Sequence, residues 1–497
     1  MARERGIRVV VVGAGIGGIA AAIELRRHGF DEVTVLERGS RLGGTWAYNR
    51  YPGCACDVPS HLYSFSFAQR RDWSRLCSPQ QEILEYLTSV ARGHDVDGLI
   101  VYGADVISCE WDDGWTVSCA DGRTWKADAL VIASGQLHQP AVPRIEGFDE
   151  FAGHSFHSAR WDHDYDLCDK RVAVIGTGAS AVQFVPEIAK RAGRLYVFQR
   201  TGNWFLPRRN RAYPRVVRAA IRYVPGVQAL RRRFIYYYAE SLTMMIRHPR
   251  TIGQIGRLRS ALFMRWQLRD PVVRRKVWPH YTFGCKRVLF SSHFLPALQA
   301  ANVELVTDAV RRFTPTGIVT ADGAVRELDC VIWGTGFRTT EFMFPMEITG
   351  AGGRSLREEW AGGPHAHLGM SVPGFPSLFL MYGPNTNTSG GSIIFYEEAQ
   401  AAYIRQALSA VRRRGGGVIE VRREVAQDSD RELQGRFAGT AWTQCNSWYR
   451  DDAGRIVTNW PGYMSDYAER VRELDPSEYE FAGPATDRGL NSKDDDR

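Results

Sequence analysis

The stretch that decides the fold reads Ile7-Arg8-Val9-Val10-Val11-Val12-Gly13-Ala14-Gly15-Ile16-Gly17-Gly18. Its apolar run predicts a buried strand over residues 7–12, and the pattern that follows predicts a helix over residues 17–28. Gly13 permits the tight turn between them, Gly15 lets the backbone approach a pyrophosphate, and Gly18 lets the helix pack on the strand. Glu37 ends the next predicted strand, nineteen residues after Gly18, where a carboxylate can accept the ribose hydroxyl protons. The stretch therefore predicts a dinucleotide-binding site.

A second stretch repeats this pattern and reads Gly176-Thr177-Gly178-Ala179-Ser180-Ala181. It lies in another predicted strand, helix and strand, over residues 171–175, 179–192 and 194–199. Ala181 replaces the third glycine, which the dinucleotide fingerprint tolerates. Arg200 lies nineteen residues after Ala181, the offset of Glu37 in the first site, and Thr201 follows it. Because a guanidinium attracts a 2′-phosphate that a carboxylate would repel, this site predicts NADPH rather than NADH.

Two nucleotide sites in one chain indicate a hydride donor and a tightly held acceptor, so the first site predicts FAD, which NADPH reduces. Residues 329–337 add a strand whose small-residue end can lie against a dinucleotide. The expected fold class is α/β, with two Rossmann-like dinucleotide-binding domains (FAD and NADPH) and an inserted helical subdomain. We expect the FAD-binding domain at residues 1–145 and 342–470, the NADPH-binding domain at 146–205 and 291–341, the helical insert at 206–290 and a flexible tail at 471–497.

The charge of the chain is distributed unevenly. The net charge is +8, but the segment from Arg208 to Arg287 holds about twenty Arg and Lys against only Glu240 and Asp270, so the remainder is net acidic. No nucleic-acid motif accompanies this block, and its arginines alternate with apolar residues at helical spacing. We expect a helical subdomain with solvated basic faces and no nucleic-acid partner. A weak association with a membrane surface stays open, because Tyr236-Tyr237-Tyr238 and Met244-Met245 lie amid the arginines.

The cysteines and the chain end carry further expectations. Nine cysteines are scattered singly, apart from Cys54 and Cys56, which predicts no disulfide framework, no redox dithiol and no metal site. A reducing, cytoplasmic location follows. No apolar run reaches the roughly 18 residues that span a bilayer. The chain after Asp475 is rich in Asp, Gly, Ser and Lys, which predicts a frayed end.

The stretch just before the second cradle carries a family resemblance. It reads Phe151-Ala-Gly153-His-Ser-Phe-His157-Ser-Ala-Arg-Trp161-Asp162 and is similar to the F-x-G-x-x-x-H-x-x-x-W-(P/D) signature of flavin-dependent Baeyer–Villiger monooxygenases, within the wider flavin-containing monooxygenase family. Heteroatom-oxidising relatives usually end this motif without the Trp-Asp pair. Three further stretches are similar to the family: residues 43–57, Gly284-Cys285-Lys286-Arg287 and Tyr382-Gly383-Pro384-Asn385-Thr386-Asn387.

The resemblance implies roles for particular residues. Reduced flavin would form a C4a-peroxyflavin with O2, which attacks a ketone carbonyl and yields an ester or lactone. Arg287 matches the catalytic arginine of the family, Asp57 matches the carboxylate that positions it, and Lys286 matches a contact to the 2′-phosphate. His157 and Trp161 are interpreted as conformational linker residues. We further expect Gly44, Thr45, Trp46, Asp57, Tyr63 and Asn385 to be cofactor-binding residues.

One alternative within the enzyme class stays open. The same flavin chemistry can oxidise a sulfur or nitrogen heteroatom, and that reaction does not need the Arg287–Asp57 pair. The expected partners are O2, NADPH and a small ketone or heteroatom substrate. The particular substrate and the oligomeric state are left open by the sequence.

Overall fold

Two parallel sheets of five strands each form the centre of the protein. The computed structural model describes residues 6–208, 210–388 and 390–483. The first sheet has the order β19-β7-β1-β2-β3 and contains β1 (Val9–Val12), β2 (Val33–Glu37), β3 (Ile100–Tyr102), β7 (Ala129–Ile132) and β19 (Leu378–Leu380). The second has the order β13-β10-β9-β17-β8 and contains β8 (His154–His157), β9 (Arg171–Ile175), β10 (Arg194–Phe198), β13 (Val303–Val306) and β17 (Cys330–Trp333). These sheets confirm the predicted α/β fold with two Rossmann-like units.

Each sheet draws strands from two separated parts of the chain. The first sheet joins β1, β2, β3 and β7 to the distant β19. The second sheet joins β8, β9 and β10 to β13 and β17, which follow the helical insert. This strand composition supports the proposed division into two interleaved nucleotide-binding domains. The three central strands of the first sheet, β7, β1 and β2, and the edge strand β19 are buried almost throughout, as expected for a parallel sheet covered on both faces.

Four smaller sheets surround the two large ones. They contain β4 (Val106–Trp111), β5 (Trp115–Cys119), β6 (Thr124–Ala127) and β18 (Glu347–Thr349); β14 (Val310–Thr314), β15 (Gly317–Thr320) and β16 (Val325–Glu327); β11 (Phe205–Leu206) and β12 (Leu289–Phe290); β20 (Val418–Val421) and β21 (Tyr479–Ala482). The short β11 pairs in parallel with β12, so the chain before the helical insert contacts the chain after it. These short strands were not predicted from the sequence.

The helices cover the sheets and form the insert. They are α1 (Ile16–Arg27), α2 (Thr45–Tyr48), α3 (Gln80–Gly93), α4 (Ala181–Ile188), α5 (Arg215–Tyr223), α6 (Val227–Arg247), α7 (Ile252–Gln267), α8 (Pro271–Val277), α9 (Phe294–Ala297), α10 (Leu356–Glu359), α11 (Ile393–Arg413), α12 (Arg423–Gly435) and α13 (Met464–Arg470). Helix α5 packs on α6, and α6 packs on α7. Within the three described ranges, no helix combines the length and apolarity needed to cross a membrane.

The prediction of a frayed end after Asp475 is wrong for its first residues. Strand β21 pairs antiparallel with β20, and Tyr479 is buried with its hydroxyl hydrogen-bonded to that of Tyr403 at 2.9 Å. An aromatic anchor and a strand partner hold this segment, although its composition is polar. Residues 484–497 of the predicted tail lie outside the described residues.

The third glycine of the first cradle allows α1 to approach β1. A Cβ added at Gly18 would lie 1.8 Å from the carbonyl oxygen of Gly13, with no flexible side chain that could yield. Helix α1 also packs closely on α11, and most of its residues are buried. The glycine is therefore a packing requirement of the fold as well as part of a fingerprint.

Substituting Gly18→Ala is expected to lower the melting temperature by about 5–10 °C, because overpacking against backbone costs about 1–3 kcal/mol or more. Gly98→Ala is the matched control, since an added Cβ there meets no atom within 4 Å. Differential scanning fluorimetry of both variants measures the effect. Equal melting temperatures for the two variants would contradict the packing argument.

Candidate active site

The first cradle is built as the sequence predicts, at the carboxyl end of β1. Gly13 has φ +107°, and an added Cβ would lie 2.5 Å from the carbonyl oxygen of Ala133, which follows β7. Gly44 approaches Gly15 so closely that its added Cβ would lie 2.9 Å from the Gly15 Cα. These close approaches show that backbone packs tightly around the glycines, which suits a pyrophosphate at the start of α1.

Glu37 lies at the far side of this cradle. One carboxylate oxygen accepts a hydrogen bond from the Ala14 N–H at 2.9 Å, and the other accepts from the Gly39 N–H at 2.7 Å and the Tyr48 hydroxyl at 2.9 Å. These bonds fix the carboxylate where a ribose can reach it. Tyr48 is a contact that the sequence did not reveal.

Thr45 begins the short α2, which carries Trp46 and leads away from the cradle. Trp46 is buried, and its indole N–H donates to the Tyr63 hydroxyl at 3.1 Å, with the rings edge to face. Burial raises the pKa of Tyr63 well above its ordinary value. The two residues therefore form a rigid aromatic wall beside the cradle.

The segment after α2 connects the first nucleotide-binding unit to the second. Ala55 and Gln183 exchange two hydrogen bonds of 3.0 Å, from the Ala55 N–H to the Gln183 side-chain oxygen and from the side-chain amide back to the Ala55 carbonyl. Gln183 lies on α4, directly after the second cradle. Asp57 follows two residues later, so this contact places its carboxylate between the two units.

Asp57 forms an ion pair with Arg287. The guanidinium Nη2 donates to the carboxylate Oδ2 at 2.6 Å, across 230 residues of sequence, and the side chains of Arg287 and Asp57 are 41% and 18% exposed. The charge of Asp57 raises the pKa of Arg287 above its already high value. Burial alone would raise the pKa of Asp57, but the charges of Arg287 and Arg208 outweigh it and lower that pKa. Both members therefore stay charged throughout the ordinary pH range.

Three further residues lie around this pair, and no site role was predicted from the sequence for the first of them, Arg208. Arg208 donates a hydrogen bond to the Cys56 carbonyl and adds a second positive charge near Asp57. The charge of Arg287 acts to lower the pKa of Tyr449 and of Tyr382, although burial dominates and raises both. Tyr382 donates to the Asn387 side-chain oxygen at 2.8 Å. Sequence reasoning placed Arg208 among solvated arginines, and only its contact with the 56–57 segment distinguishes it.

The second cradle repeats the geometry of the first. Gly176 has φ +106°, and a Cβ added to it would lie 2.5 Å from the carbonyl oxygen of Gly334. A Cβ added to Gly13 in the first cradle approaches the carbonyl oxygen of Ala133 at the same distance. A Cβ added at Gly178 would meet nothing within 4 Å, which leaves open space above the loop for a ligand. The Thr177 carbonyl accepts from the Asn203 amide at 3.0 Å, and Ser180 precedes the first residue of α4, Ala181.

A basic cleft lies at the end of β10, where the sequence predicts the 2′-phosphate. Arg200, Thr201 and Lys286 line it together, although Lys286 is distant in sequence. Burial and the neighbouring charge of Arg200 lower the pKa of Lys286. Lys276 and His280 also line the cleft and were not predicted. Among its described lining residues there is no carboxylate, so the cleft suits an anion.

One disulfide is present that the expectation of no disulfide framework did not foresee. Cys285 and Cys445 form a disulfide between residues 160 positions apart, whereas the other seven cysteines are free. Cys285 immediately precedes Lys286 and Arg287, and Cys445 lines the basic cleft. Single cysteines distant in sequence give no signal of this pairing, because only the fold brings the 285 and 445 loops together.

Asn385 holds a loop rather than pointing freely into a pocket. It has φ +57°, and its side-chain amide donates to the carbonyls of Ile456 at 2.7 Å and Asn459 at 3.0 Å. Both amide protons are therefore used, so its side-chain oxygen is the atom that remains for a cofactor.

His157 has both ring nitrogens engaged. Its Nδ1 accepts from the Ala159 N–H at 3.1 Å, so Nε2 carries the proton and donates to the Gly336 carbonyl at 3.0 Å. Burial lowers its pKa, which favours this neutral form. Trp161 packs against Phe184 and Phe156. These contacts support the interpretation of both residues as structural linkers without a proton-transfer role.

Glu397 is a buried carboxyl beside the first cradle that the sequence did not reveal. A Cβ added at Gly17 would lie 3.2 Å from its Oε1, and within the described residues its Oε2 has no hydrogen-bond partner. Burial raises its pKa to about 8. An orphaned buried oxygen at the start of α1, together with the open cradle, fits a dinucleotide that supplies the missing partner.

The fold and the site define a protein with two dinucleotide-binding sites and an arginine–aspartate pair between them. The pyridine nucleotide-disulphide oxidoreductase family model matches residues 10–222, a region that contains neither Cys285 nor Cys445. A Baeyer–Villiger monooxygenase of Streptomyces coelicolor is 40% identical, covering 96% of this chain and 93% of the relative, and one of Pseudomonas aeruginosa is 39% identical, covering 96% and 92%. The chain therefore belongs to the Baeyer–Villiger monooxygenase family.

Solved structures agree with this assignment. A steroid monooxygenase bound to NADP superposes with a TM-score of 0.85 at 31% identity, covering 96% of this chain and 99% of the other. The OTEMO complex with FAD and NADP gives 0.86 at 28% identity, and the closed structure of cyclohexanone monooxygenase gives 0.86 at 26% identity, each covering 97% of this chain and 100% of the other.

Removing either cation of the basic cleft, with Arg200→Ala or Lys286→Ala, is expected to weaken NADP+ binding about tenfold or more while leaving NAD+ binding unchanged. A charge-assisted hydrogen bond contributes about 1.5–3 kcal/mol. Because the pKa of Lys286 is lowered, NADP+ affinity of the unsubstituted protein should also fall at alkaline pH, and Lys286→Ala should lose this dependence. Titration calorimetry measures the affinity for both nucleotides, with the exposed Lys170→Ala as the control variant. Equal losses of NADP+ and NAD+ affinity would refute the role of the cleft in binding a 2′-phosphate.

Glu397→Gln is expected to change how stability depends on pH. Burial raises the pKa of this carboxyl to about 8 in the folded protein, whereas its ordinary pKa in the unfolded chain is 4.5. Its contribution to the stability of the folded protein is therefore complete below the unfolded-state pKa and is lost as the pH rises through about 8. Melting temperatures from pH 5 to 9 should shift in favour of the variant as the pH rises, then level off. The exposed Glu424→Gln should show no such trend, and a parallel course for both variants would exclude a buried protonated Glu397.

Proposed function

We propose that the protein is an FAD- and NADPH-dependent monooxygenase that inserts one oxygen atom of O2 next to a ketone carbonyl and forms an ester or lactone. The overall reaction consumes ketone, O2, NADPH and a proton and yields ester, water and NADP+. FAD, once reduced by NADPH, supplies the activation of O2. The observation that carries the proposal is the Arg287–Asp57 pair, held between the two nucleotide cradles.

The nucleotide sites support these cofactors. The first cradle offers backbone and a carboxylate at Glu37, and we assign it to FAD with Gly13, Gly15, Gly18, Gly44, Thr45, Trp46, Asp57, Tyr63 and Asn385. The second offers backbone and the cations Arg200 and Lys286, and we assign it to NADPH with Gly176, Thr177, Gly178, Ser180, Ala181 and Thr201. The named relatives that bind FAD and NADP have the same fold over nearly their whole length.

The charge of Arg287 has a direct chemical use. Addition of an oxygen nucleophile to a carbonyl places negative charge on oxygen, and a fixed cation in a protected site stabilises that charge. The pair with Asp57 orients the guanidinium and keeps it protonated. Oxidation of a thioether instead transfers an electrophilic oxygen and develops no such anion at the substrate, so it does not call for this cation. The geometry therefore favours ketone oxidation over the heteroatom alternative.

Location is a separate proposal. The use of NADPH and the seven free cysteines support a cytoplasmic location, and the Cys285–Cys445 disulfide is the one feature that departs from it.

Arg287→Ala is expected to reduce ester formation from ketones by about 100-fold to 1,000-fold, as loss of an anion-stabilising group does elsewhere. Thioether oxidation and flavin content should be retained, and Arg287→Lys should recover part of the ketone activity. Product analysis with a panel of ketones and thioethers, alongside visible spectra, measures this.

Asp57→Asn serves as the companion variant, because it keeps the shape of the side chain but removes the charge that orients Arg287. Its ketone activity should fall in the same direction. Undiminished ester formation in Arg287→Ala would overturn the assigned role, and a colourless protein that takes up no added flavin would overturn the function as a whole.

A further inference from the structure

Helix α7 presents its large apolar residues to solvent. Ile255, Leu258, Leu262 and Trp266 are 61%, 61%, 59% and 72% exposed and recur at helical spacing. The residues that face the protein are mostly small, namely Gly253, Gly256, Ser260 and Met264. An ordinary surface helix has the opposite arrangement, with large apolar residues inward. The packing of α7 against the protein therefore leaves its apolar side without a partner among the described residues.

The neighbouring helices extend this surface. On α6, Leu230 and Phe234 are 71% and 72% exposed, whereas the buried side of the same helix carries Ile235, Ala239, Thr243 and Ile246. Val216 and Tyr223 of α5 are also exposed. Because α5 packs on α6 and α6 on α7, these residues belong to one region of the molecule. We call the exposed apolar residues of α5, α6 and α7 the insert face.

Arginines surround the insert face. Arg259 and Arg265 flank the apolar stripe of α7, Arg233 lies beside Phe234, and Arg218 and Arg222 lie on α5; all five are exposed. In the parts of the chain that the structure describes, none of these five forms an ion pair, although Arg222 contributes to lowering the pKa of Asp72 and Arg265 lies over the ring of Trp278. Exposed guanidinium groups of this kind can meet an external anion. The segment from 208 to 287 has twenty basic and two acidic residues.

We propose that the insert face docks on an anionic lipid surface. Aliphatic and aromatic side chains with flanking arginines match a bilayer interface, where apolar groups enter the acyl boundary and each basic residue near anionic headgroups contributes about 1 kcal/mol. Trp266, Tyr223 and Tyr237 have the amphipathic rings that partition to this boundary. A second copy of the chain is a poorer occupant, because a symmetric contact would bring two strongly basic segments together.

Helix α6 joins the insert face to the body of the protein. The opposite side of this helix packs on the loop that begins α11, where a Cβ added at Gly390 would lie 2.8 Å from the Ala239 carbonyl. The proposal concerns binding alone and does not depend on the catalytic assignment.

Cosedimentation of the full-length protein with vesicles tests the proposal. We expect binding to vesicles of phosphatidylcholine with about 30% phosphatidylglycerol, weak binding to pure phosphatidylcholine, and loss of binding as salt rises from about 50 to 500 mM. Arg259→Glu/Arg265→Glu should weaken binding at least tenfold, since two attractive charges become repulsive. Leu262→Ser/Trp266→Ser should weaken it by a similar factor through loss of apolar burial.

Two matched controls separate the insert face from general surface chemistry. Arg311→Glu/Arg312→Glu makes the same change of charge at exposed residues of β14, and Ile107→Ser/Val325→Ser removes exposed apolar side chains elsewhere. Both should bind vesicles like the unsubstituted protein, and melting temperatures should show that all variants are folded.

Three outcomes would overturn the proposal. The first is an unsubstituted protein that stays in the supernatant with anionic vesicles at low salt. The second is equal weakening by the face variants and their controls. The third is a concentration-dependent dimer in analytical ultracentrifugation that Leu262→Ser/Trp266→Ser dissolves without any binding to lipid, which would assign the face to a second copy.

Discussion

The ion pair between Arg287 and Asp57 is the constraint on which the rest of the site depends. Asp57 arrives from the first nucleotide-binding unit through a segment that hydrogen-bonds to α4 of the second, and Arg287 arrives from the end of the helical insert. Two distant parts of the chain therefore meet at one contact of 2.6 Å, and a third, α4, holds the segment that carries Asp57. Because the partners hold each other charged, the site presents a permanent cation whose position depends on the relative placement of both units.

The two phosphate-binding cradles share their backbone geometry but differ in the side chains that determine which nucleotide binds. In each, the first glycine lies against a backbone carbonyl that follows the neighbouring strand, at Ala133 in the first and Gly334 in the second. The backbone geometry is therefore nearly the same, and specificity comes from the side chains at the end of the following strand. A carboxylate fixed by backbone N–H groups closes one site, whereas a cluster of cations closes the other. A single fold thereby accommodates one nucleotide with a free ribose and one whose ribose carries a 2′-phosphate.

Some of the most informative side chains are those whose environment contradicts their type. Glu397 is a carboxyl that burial keeps protonated, and Arg208 is an arginine drawn out of a basic surface to a buried carboxylate. The insert face carries apolar side chains into solvent because the small residues of α7 occupy the inner side. Each of these unfavourable environments costs free energy in the protein without ligands or partners. Such costs are usually found where the binding of a ligand or a surface offsets them.

The sequence alone determined the parts that depend on local backbone geometry and fixed spacing. The strand–glycine–helix stretches at 7–18 and 171–181, the charges at Glu37 and Arg200, and the α/β class could all be predicted, because a phosphate cradle needs particular residues at particular offsets. Only the tertiary structure decided the features that join distant segments: the Cys285–Cys445 disulfide, the β20–β21 pair, the approach of Arg208 and Glu397, and the outward turn of α7. These contacts depend on packing between elements far apart in sequence. A local pattern of residue types does not indicate which surfaces of those elements will contact each other.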